Sequence, residues 1–363
     1  MAHSYCLLQR LTNAPVLIKY VNLFERYIIN LGPIGVELFF VLSGFLIGGI
    51  LIKIFDNTDF TFAEVRQFWV RRWFRTLPNY WLILSLNIII LVFLKGNSLD
   101  NNQFIGYIFL QNFIYPDVLH VFPEGWSLSI EEWFYLTLPV IMYLSMLVIK
   151  PANKPGFLIR VFLCYLSLFL MIRIFNAFNP INGIDPDEGI RKIVVFRLDA
   201  VMYGVLAAYF NYYHKPVMDR VKKKLFIISL LGSFILYFFI IKYELAFRAQ
   251  LNLVFRFVSN AFLYMVIPLI FSLSLPYAAS TKEWSNKFFM AIVRHISKIS
   301  YSIYLVHFSL FIPLFINLRV KSTSIGIAQY LIYWIVVIGF SSLLYRYFEY
   351  PVMKLRDRWK SQE

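Results

Sequence analysis

Charge is scarce in this chain. Only 15% of its 363 residues are Asp, Glu, Lys or Arg, and cysteine occurs twice. So little charge excludes an intrinsically disordered or highly solvated protein. Two cysteines, Cys6 and Cys164, both in apolar surroundings, exclude a disulfide framework or a cysteine-based metal cluster. Each reads as a small buried hydrophobe. Glycine-rich phosphate loops, internal repeats and low-complexity tracts are missing too. The longest polar connections, near 95–130 and 176–192, are too short to fold alone. Residues 1–363 therefore read as one membrane domain in stand-alone form, without an appended soluble domain.

Apolar residues fill the space that charge leaves. The chain is 60% hydrophobic and 19% aromatic, with a mean hydropathy of +0.65. Apolar runs fall at about 32–54, 79–94, 131–149, 157–175, 193–213, 225–241, 252–275, 299–318 and 325–345, each near bilayer-spanning length. The run 104–115 is too short to span and reads as re-entrant or interfacial. The fold class is all-α: a polytopic integral membrane helical bundle of about nine complete transmembrane helices plus a truncated first one.

The net charge of +15 could point to nucleic acid, but its placement points to topology. Cations gather in alternate loops, around Lys53 to Arg75, Lys150 to Arg160, Lys215 to Lys224, Lys282 to Lys298 and Arg346 to Lys360. The intervening loops carry Asp100, Asp117, Glu124, Asp185, Asp187 and Glu188. By the positive-inside rule the first set, with the C-terminus, is cytoplasmic. No nucleic-acid partner is expected.

Against this background the polar residues inside apolar runs stand out, because a charge in a spanning helix costs at least a few kcal/mol and faces the bundle interior or a wet cavity. Residues 35–48 read GVELFFVLSGFLIG, with Glu37 and Ser43 among glycines that permit close helix approach. No nucleophile elbow surrounds Ser43, so it reads as a packing or hydrogen-bonding residue. Residues 126–135 read WSLSIEEWFY; Ser129 and Glu132 have the spacing of a helix capping box, leaving Glu131 free for another role. Arg197 and Asp199 share a helix at i and i+2, do not face each other, and call for partners elsewhere. Ser300, Tyr304 and His307 recur on one helical face, as a structural network or a functional one. Glu349, just before Pro351, reads as half of a structural ion pair. Arg72 and Arg75, at i and i+3 in FWVRRWFRTLP, share a face, where their forks could hold a phosphate pair or snorkel to lipid headgroups.

Taken in order, GVELFFVLSGFLIG, RWFR, WSLSIEEWFY, SYSIYLVH and YFEYP resemble the acyltransferase-3 family of bacterial membrane proteins, along the whole chain. The resemblance implies transfer of an acyl group, usually acetyl, from cytosolic acyl-CoA to a hydroxyl of an extracytoplasmic carbohydrate, in the bacterial inner membrane and without a metal. It implies that Arg72 and Arg75 form the acyl-CoA site and that Glu131 and the Phe-Arg197-Leu-Asp199-Ala run belong to family motifs. It also implies a catalytic His near mid-membrane on the first helix, where His3 stands in this numbering. Such chemistry needs a general base for the hydroxyl, and histidine, with a pKa near neutral, suits it. His214 and His295 lie among loop cations, and His120 lies in a loop beside Asp117. The short apolar run before Gln9 suggests that the start of the first helix is cut away. Rival readings are a transporter or flippase for a lipid-linked sugar, which would use the same buried polar groups as a path, and an inactive truncated paralogue.

Overall fold

The computed structural model describes residues 31–94, 102–116, 121–178, 181, 187–248, 257–281, 286–316 and 323–360. His3, His120, Cys6 and the expected broken first helix lie outside the described residues. Everything regular among the described residues is helical. The long helices are α1 (Leu31–Asn57), α2 (Phe62–Ile89), α3 (Gly125–Ile149), α4 (Lys154–Phe178), α5 (Val194–Tyr213), α6 (Lys215–Arg248), α7 (Tyr264–Ser272), α8 (Lys287–Val306) and α9 (Thr323–Leu344). Eight helices or helix runs among the described residues are long and apolar enough to cross a membrane, which makes this a multi-pass membrane bundle. The expected segment 225–241 lies on the 34-residue α6, which is not among those eight; its first turns are crowded with Lys222, Lys223 and Lys224.

Local chemistry explains several boundaries. Thr61 caps α2: its hydroxyl oxygen accepts from the Ala63 amide at 3.3 Å and its hydroxyl donates to Glu64 at 2.5 Å, the reciprocal logic of a capping box. The same spacing at Ser129 and Glu132 does not make one. Helix α3 begins at Gly125, so Ser129 already sits one turn inside, donating to the Gly125 carbonyl at 3.3 Å and accepting from Gln111 at 2.6 Å. A capping box needs free backbone amides, and none remain there. Pro78 and Pro139 lie inside α2 and α3, as membrane helices tolerate. The short run 104–115 makes only a turn of helix and a 3-10 turn, then folds back at Phe109, whose φ is 58°. Its Phe109 and Gly106 pack on Tyr80, whose hydroxyl donates to the Gly106 carbonyl at 2.9 Å.

Helices α1 and α5 run parallel and touch backbone to backbone. A Cβ on Gly44 would overlap the Val201 carbonyl, and one on Gly204 would overlap the Val41 carbonyl, so small residues set this crossing. One core surrounds α1, α3, α4 and α5, centred on Phe40, Ile130, Phe134, Phe162 and Val201. A second joins α2 to α8 and α9 through Tyr80, Ile83, Leu305 and Val337. Trp133 packs against both, so the seam between them runs along α3. Cys164 does not take the buried place expected of it: it is a free thiol on the exposed side of α4, where lipid is as apolar as a core.

Candidate functional site

Charges inside the bundle fall into two groups with different completeness. In the first, Glu37 of α1 pairs with Arg197 of α5. The Arg197 guanidinium also donates to the Tyr264 carbonyl at 2.6 Å and lies 4.9 Å from the Tyr264 ring centre. Asp199 receives both terminal nitrogens of Arg173, from α4, at 2.8 and 2.7 Å, and Arg173 donates to the Phe196 carbonyl at 3.2 Å. Arg197 and Asp199 thus find separate partners on other helices, as their spacing requires. All four side chains are 2% exposed or less. Such paired buried charges are costly to separate.

The second group sits where α1, α2 and α3 meet. Arg72 donates to the Tyr135 hydroxyl at 2.8 Å, its guanidinium lies 4.2 Å from that ring's centre, and Glu131 stands 3.7 Å away. The Ser43 hydroxyl completes the group with a short hydrogen bond to the Tyr135 hydroxyl. Trp69 donates to the Tyr135 carbonyl at 3.0 Å, and with Phe62 against Tyr143 and Arg72 near Glu131 this shows α2 antiparallel to α3. Glu132 points to the neighbouring side, beside Thr76. The Arg72 side chain is 16% exposed, too enclosed for a headgroup anchor. One oxygen each of Glu131 and Glu132, and Nε of Arg72, lack a hydrogen-bond partner among the described residues. The first group also holds such atoms, among them Glu37 Oε1 and Nε of both arginines, but each of its carboxylates has its own arginine, whereas here two carboxylates share one and the nearer stands at 3.7 Å, which leaves capacity for a ligand.

Arg75 does not join Arg72. It is exposed, and its electrostatic neighbours are Glu349 and Tyr345. Glu349 itself is held by neutral donors, Asn79 at 3.1 Å and Ser302 at 2.7 Å, rather than by the close ion pair expected for it. A buried carboxylate can be solvated by hydroxyl and amide groups as well as by a cation.

Of the Ser300, Tyr304 and His307 face, only the last two act together. Ser300 is exposed and donates to its own helix. The Tyr304 hydroxyl donates to the Glu124 carbonyl at 2.9 Å and is bonded to Ser127. His307 bonds the Tyr304 carbonyl through Nδ1 at 2.8 Å. A carbonyl can only accept, so Nδ1 carries the proton and Nε2 is the basic nitrogen. Glu124, outside the spans, is buried, and desolvation pushes its carboxyl up to about 7 against the hydrogen bond from Ser309. Asp187 behaves oppositely: burial would raise it, but Arg191 and Lys192 hold it at about 2.

The sequence profile of the acyltransferase-3 family, described as an acyltransferase domain, matches residues 11–346. The chain belongs to the acyltransferase-3 family. A Staphylococcus aureus (strain COL) protein bearing a provisional O-acetyltransferase name is 30% identical over 345 residues, covering 89% of this chain and 53% of that protein. The peptidoglycan O-acetyltransferase OatA of Listeria monocytogenes is 29% identical over 170 residues, 43% of this chain and 26% of its own. The O-acetyltransferase OatA of S. aureus (strain NCTC 8325 / PS 47) is 25% identical over 337 residues, 89% of this chain and 53% of its own. The chain thus spans about half the length of the curated relatives it matches over most of its residues. No solved structure matches it.

In this acyltransferase-3 chain several site residues were not singled out from sequence. Tyr135, the hub of the Arg72 group, looked like one more aromatic among 24 tyrosines. Arg173 lay unremarked in an apolar run, although an arginine there is itself a signal. Glu124 read only as one acidic loop residue.

Proposed function

We propose that this chain is a membrane O-acyltransferase that takes an acetyl group from acyl-CoA and places it on a carbohydrate hydroxyl across the bilayer. The observation that carries the reading is the Arg72, Tyr135, Glu131 and Ser43 group, in which one arginine stands before two carboxylates, in a bundle where Glu37 and Asp199 each have an arginine of their own. Family membership and the O-acetyltransferase names of its relatives support it, and the peptidoglycan enzyme of L. monocytogenes points to an amino-sugar polymer as acceptor.

In this reading Arg72 receives the acyl-CoA end that enters from the Arg75 side, where the exposed Arg75 meets the carrier's phosphates first. The acceptor oxygen attacks the thioester carbonyl, the carbon–sulfur bond breaks, and the hydroxyl proton passes to a base. His3 is the proposed base, and CoA leaves as its thiol. Glu131 supports the site by keeping Arg72 oriented toward Tyr135. The protein lies in the cytoplasmic membrane with its C-terminus in the cytoplasm, so that Arg75 faces the acyl-CoA pool.

Membrane vesicles containing the chain should transfer label from [14C]acetyl-CoA to chitopentaose, as an ester released by mild alkali. Wild-type vesicles that leave the glycan unlabelled would overturn the reading. Uptake of separately radiolabelled chitopentaose into the vesicles, with no acetyl ester formed on it, would favour a transporter.

A further inference from the structure

One polar junction takes no part in that mechanism. Between α8 and the short helix Ile312–Ile316 the chain makes a wide, π-type turn over His307–Phe311. Such turns free backbone groups from the regular ladder and gather at functional sites. Here three other helices hold the turn. Glu124, at the head of α3, accepts from the Ser309 amide at 3.0 Å through Oε1. Asn87 of α2 donates to the Ser309 hydroxyl at 3.0 Å, and Tyr333 of α9 donates to the His307 carbonyl at 2.8 Å. Tyr304 ties the preceding turn to the Glu124 carbonyl.

Two acceptors here can take a further donor. Glu124 is 7% exposed, yet its Oε2 has no hydrogen-bond partner among the described residues. His307, donating through Nδ1, keeps the basic lone pair on Nε2. A buried acceptor without a donor costs about 1–3 kcal/mol, so its persistence beside a second acceptor calls for a ligand that donates. The surroundings select which donor. Phe308 and Phe311 pack into the α2–α8–α9 core, and Phe39 stacks on Tyr304 with ring centres 6.3 Å apart. An ammonium would lose much of its hydration among these rings, whereas a neutral hydroxyl loses far less. Tyr304 also lies within electrostatic range of Glu131, so the junction neighbours the Arg72 group.

We propose that Glu124 and His307 form the docking point for the acceptor carbohydrate, each accepting a hydrogen bond from a sugar hydroxyl and so aiming the acceptor at the Arg72 group. This rests on the acetyl-transfer reading above, and it adds the residues that hold the acceptor. Binding alone is assigned to the pair, with no covalent step.

Initial rates of transfer from [14C]acetyl-CoA to chitopentaose, with the full chain in detergent, separate the possibilities. Glu124→Gln keeps an oxygen for the Ser309 amide but turns the other acceptor into a donor. His307→Asn keeps a donor for the Tyr304 carbonyl and loses Nε2. Each should raise the KM for chitopentaose about tenfold, the loss of one buried hydrogen bond, and leave the KM for acetyl-CoA within about twofold. An unchanged chitopentaose KM, or both KM values rising together as a merely structural role would give, overturns the proposal. Wild-type protein supplies a second measurement in case a variant folds poorly. Dicyclohexylcarbodiimide should label Glu124, and chitopentaose should protect it; labelling that chitopentaose does not slow overturns the proposal as well. Absence of any transfer by the wild-type chain would instead remove the acetyl-transfer reading and the docking point with it.

Discussion

The Glu37, Arg197, Arg173 and Asp199 group and the Arg72, Glu131 and Tyr135 group use the same residue types at similar burial, yet they are built to different ends. In the first, two ion pairs link α1, α4 and α5, and the arginines add backbone carbonyls and an aromatic face. It lies three turns or less from the start of α5, next to the crossing that Gly44 and Gly204 make possible. In the second, one arginine faces two carboxylates and a tyrosine hydroxyl, and its contact with Glu131 is a loose 3.7 Å. Charges matched one to one hold helices together; a lone arginine before two carboxylates leaves capacity for a substrate. The lesson is that the match of opposite charges, more than burial, separates scaffold from site in this bundle.

That contrast breaks most readily at the matched end. Arg197→Ala should strand Glu37 and cost about 3–5 kcal/mol, seen as near-complete loss of folded protein from membranes by size-exclusion fluorescence. Normal levels of Arg197→Ala would mean that the pair is not a scaffold. Arg72→Lys should do the reverse, with membrane level unchanged and transfer from acetyl-CoA reduced roughly a hundredfold, because the ammonium lacks the planar fork that reaches Tyr135 and a second ligand together. Unaltered rates would demote Arg72 to the scaffold class.

Smaller effects sharpen the distinction within the site. Glu131→Gln should lower turnover several-fold more than Glu132→Gln, since Glu131 is the carboxylate within 4 Å of Arg72; the opposite order would move the functional pairing to Glu132. Glu124 tests burial without a compensating charge. Its carboxyl rises from 4.5 to about 7 in the folded protein, so its contribution to stability is complete below pH 4.5 and disappears as pH climbs through 7. Melting in detergent should fall by about 2–4 °C between pH 5 and pH 8 for each kcal/mol involved, and Glu124→Gln should flatten that slope. Arg75→Lys, at the exposed end, should change the KM for acetyl-CoA only about twofold, as solvent-screened charges do.

Much was legible without coordinates where one residue type has one physical meaning. Apolar runs of spanning length became helices because a bilayer leaves the backbone no other way to satisfy its amides. The glycines of residues 35–48 foretold a close helix approach, made at Gly44, and Arg197 and Asp199 foretold partners on other helices, as found. Reading failed where a pattern has two meanings. Thr61 with Glu64 and Ser129 with Glu132 share one spacing, but only the first pair meets free amides. Arg72 and Arg75 share a helix at i and i+3, yet one turns to Tyr135 and the other remains exposed.

The order of apolar segments, the alternation of cations and the motifs themselves follow from residues that are local in the chain, so the sequence by itself determined a membrane bundle of the acyltransferase-3 family. Which polar residues complete one another was decided only by the tertiary structure. Tyr135 meets Ser43 from 92 positions away, Arg197 meets Glu37 from 160, and Glu124 meets Ser309 from 185. Helical periodicity says which face a side chain occupies. The partner on that face comes from the packing of other helices, whose neighbours are chosen by shape and by the need to pair every buried charge.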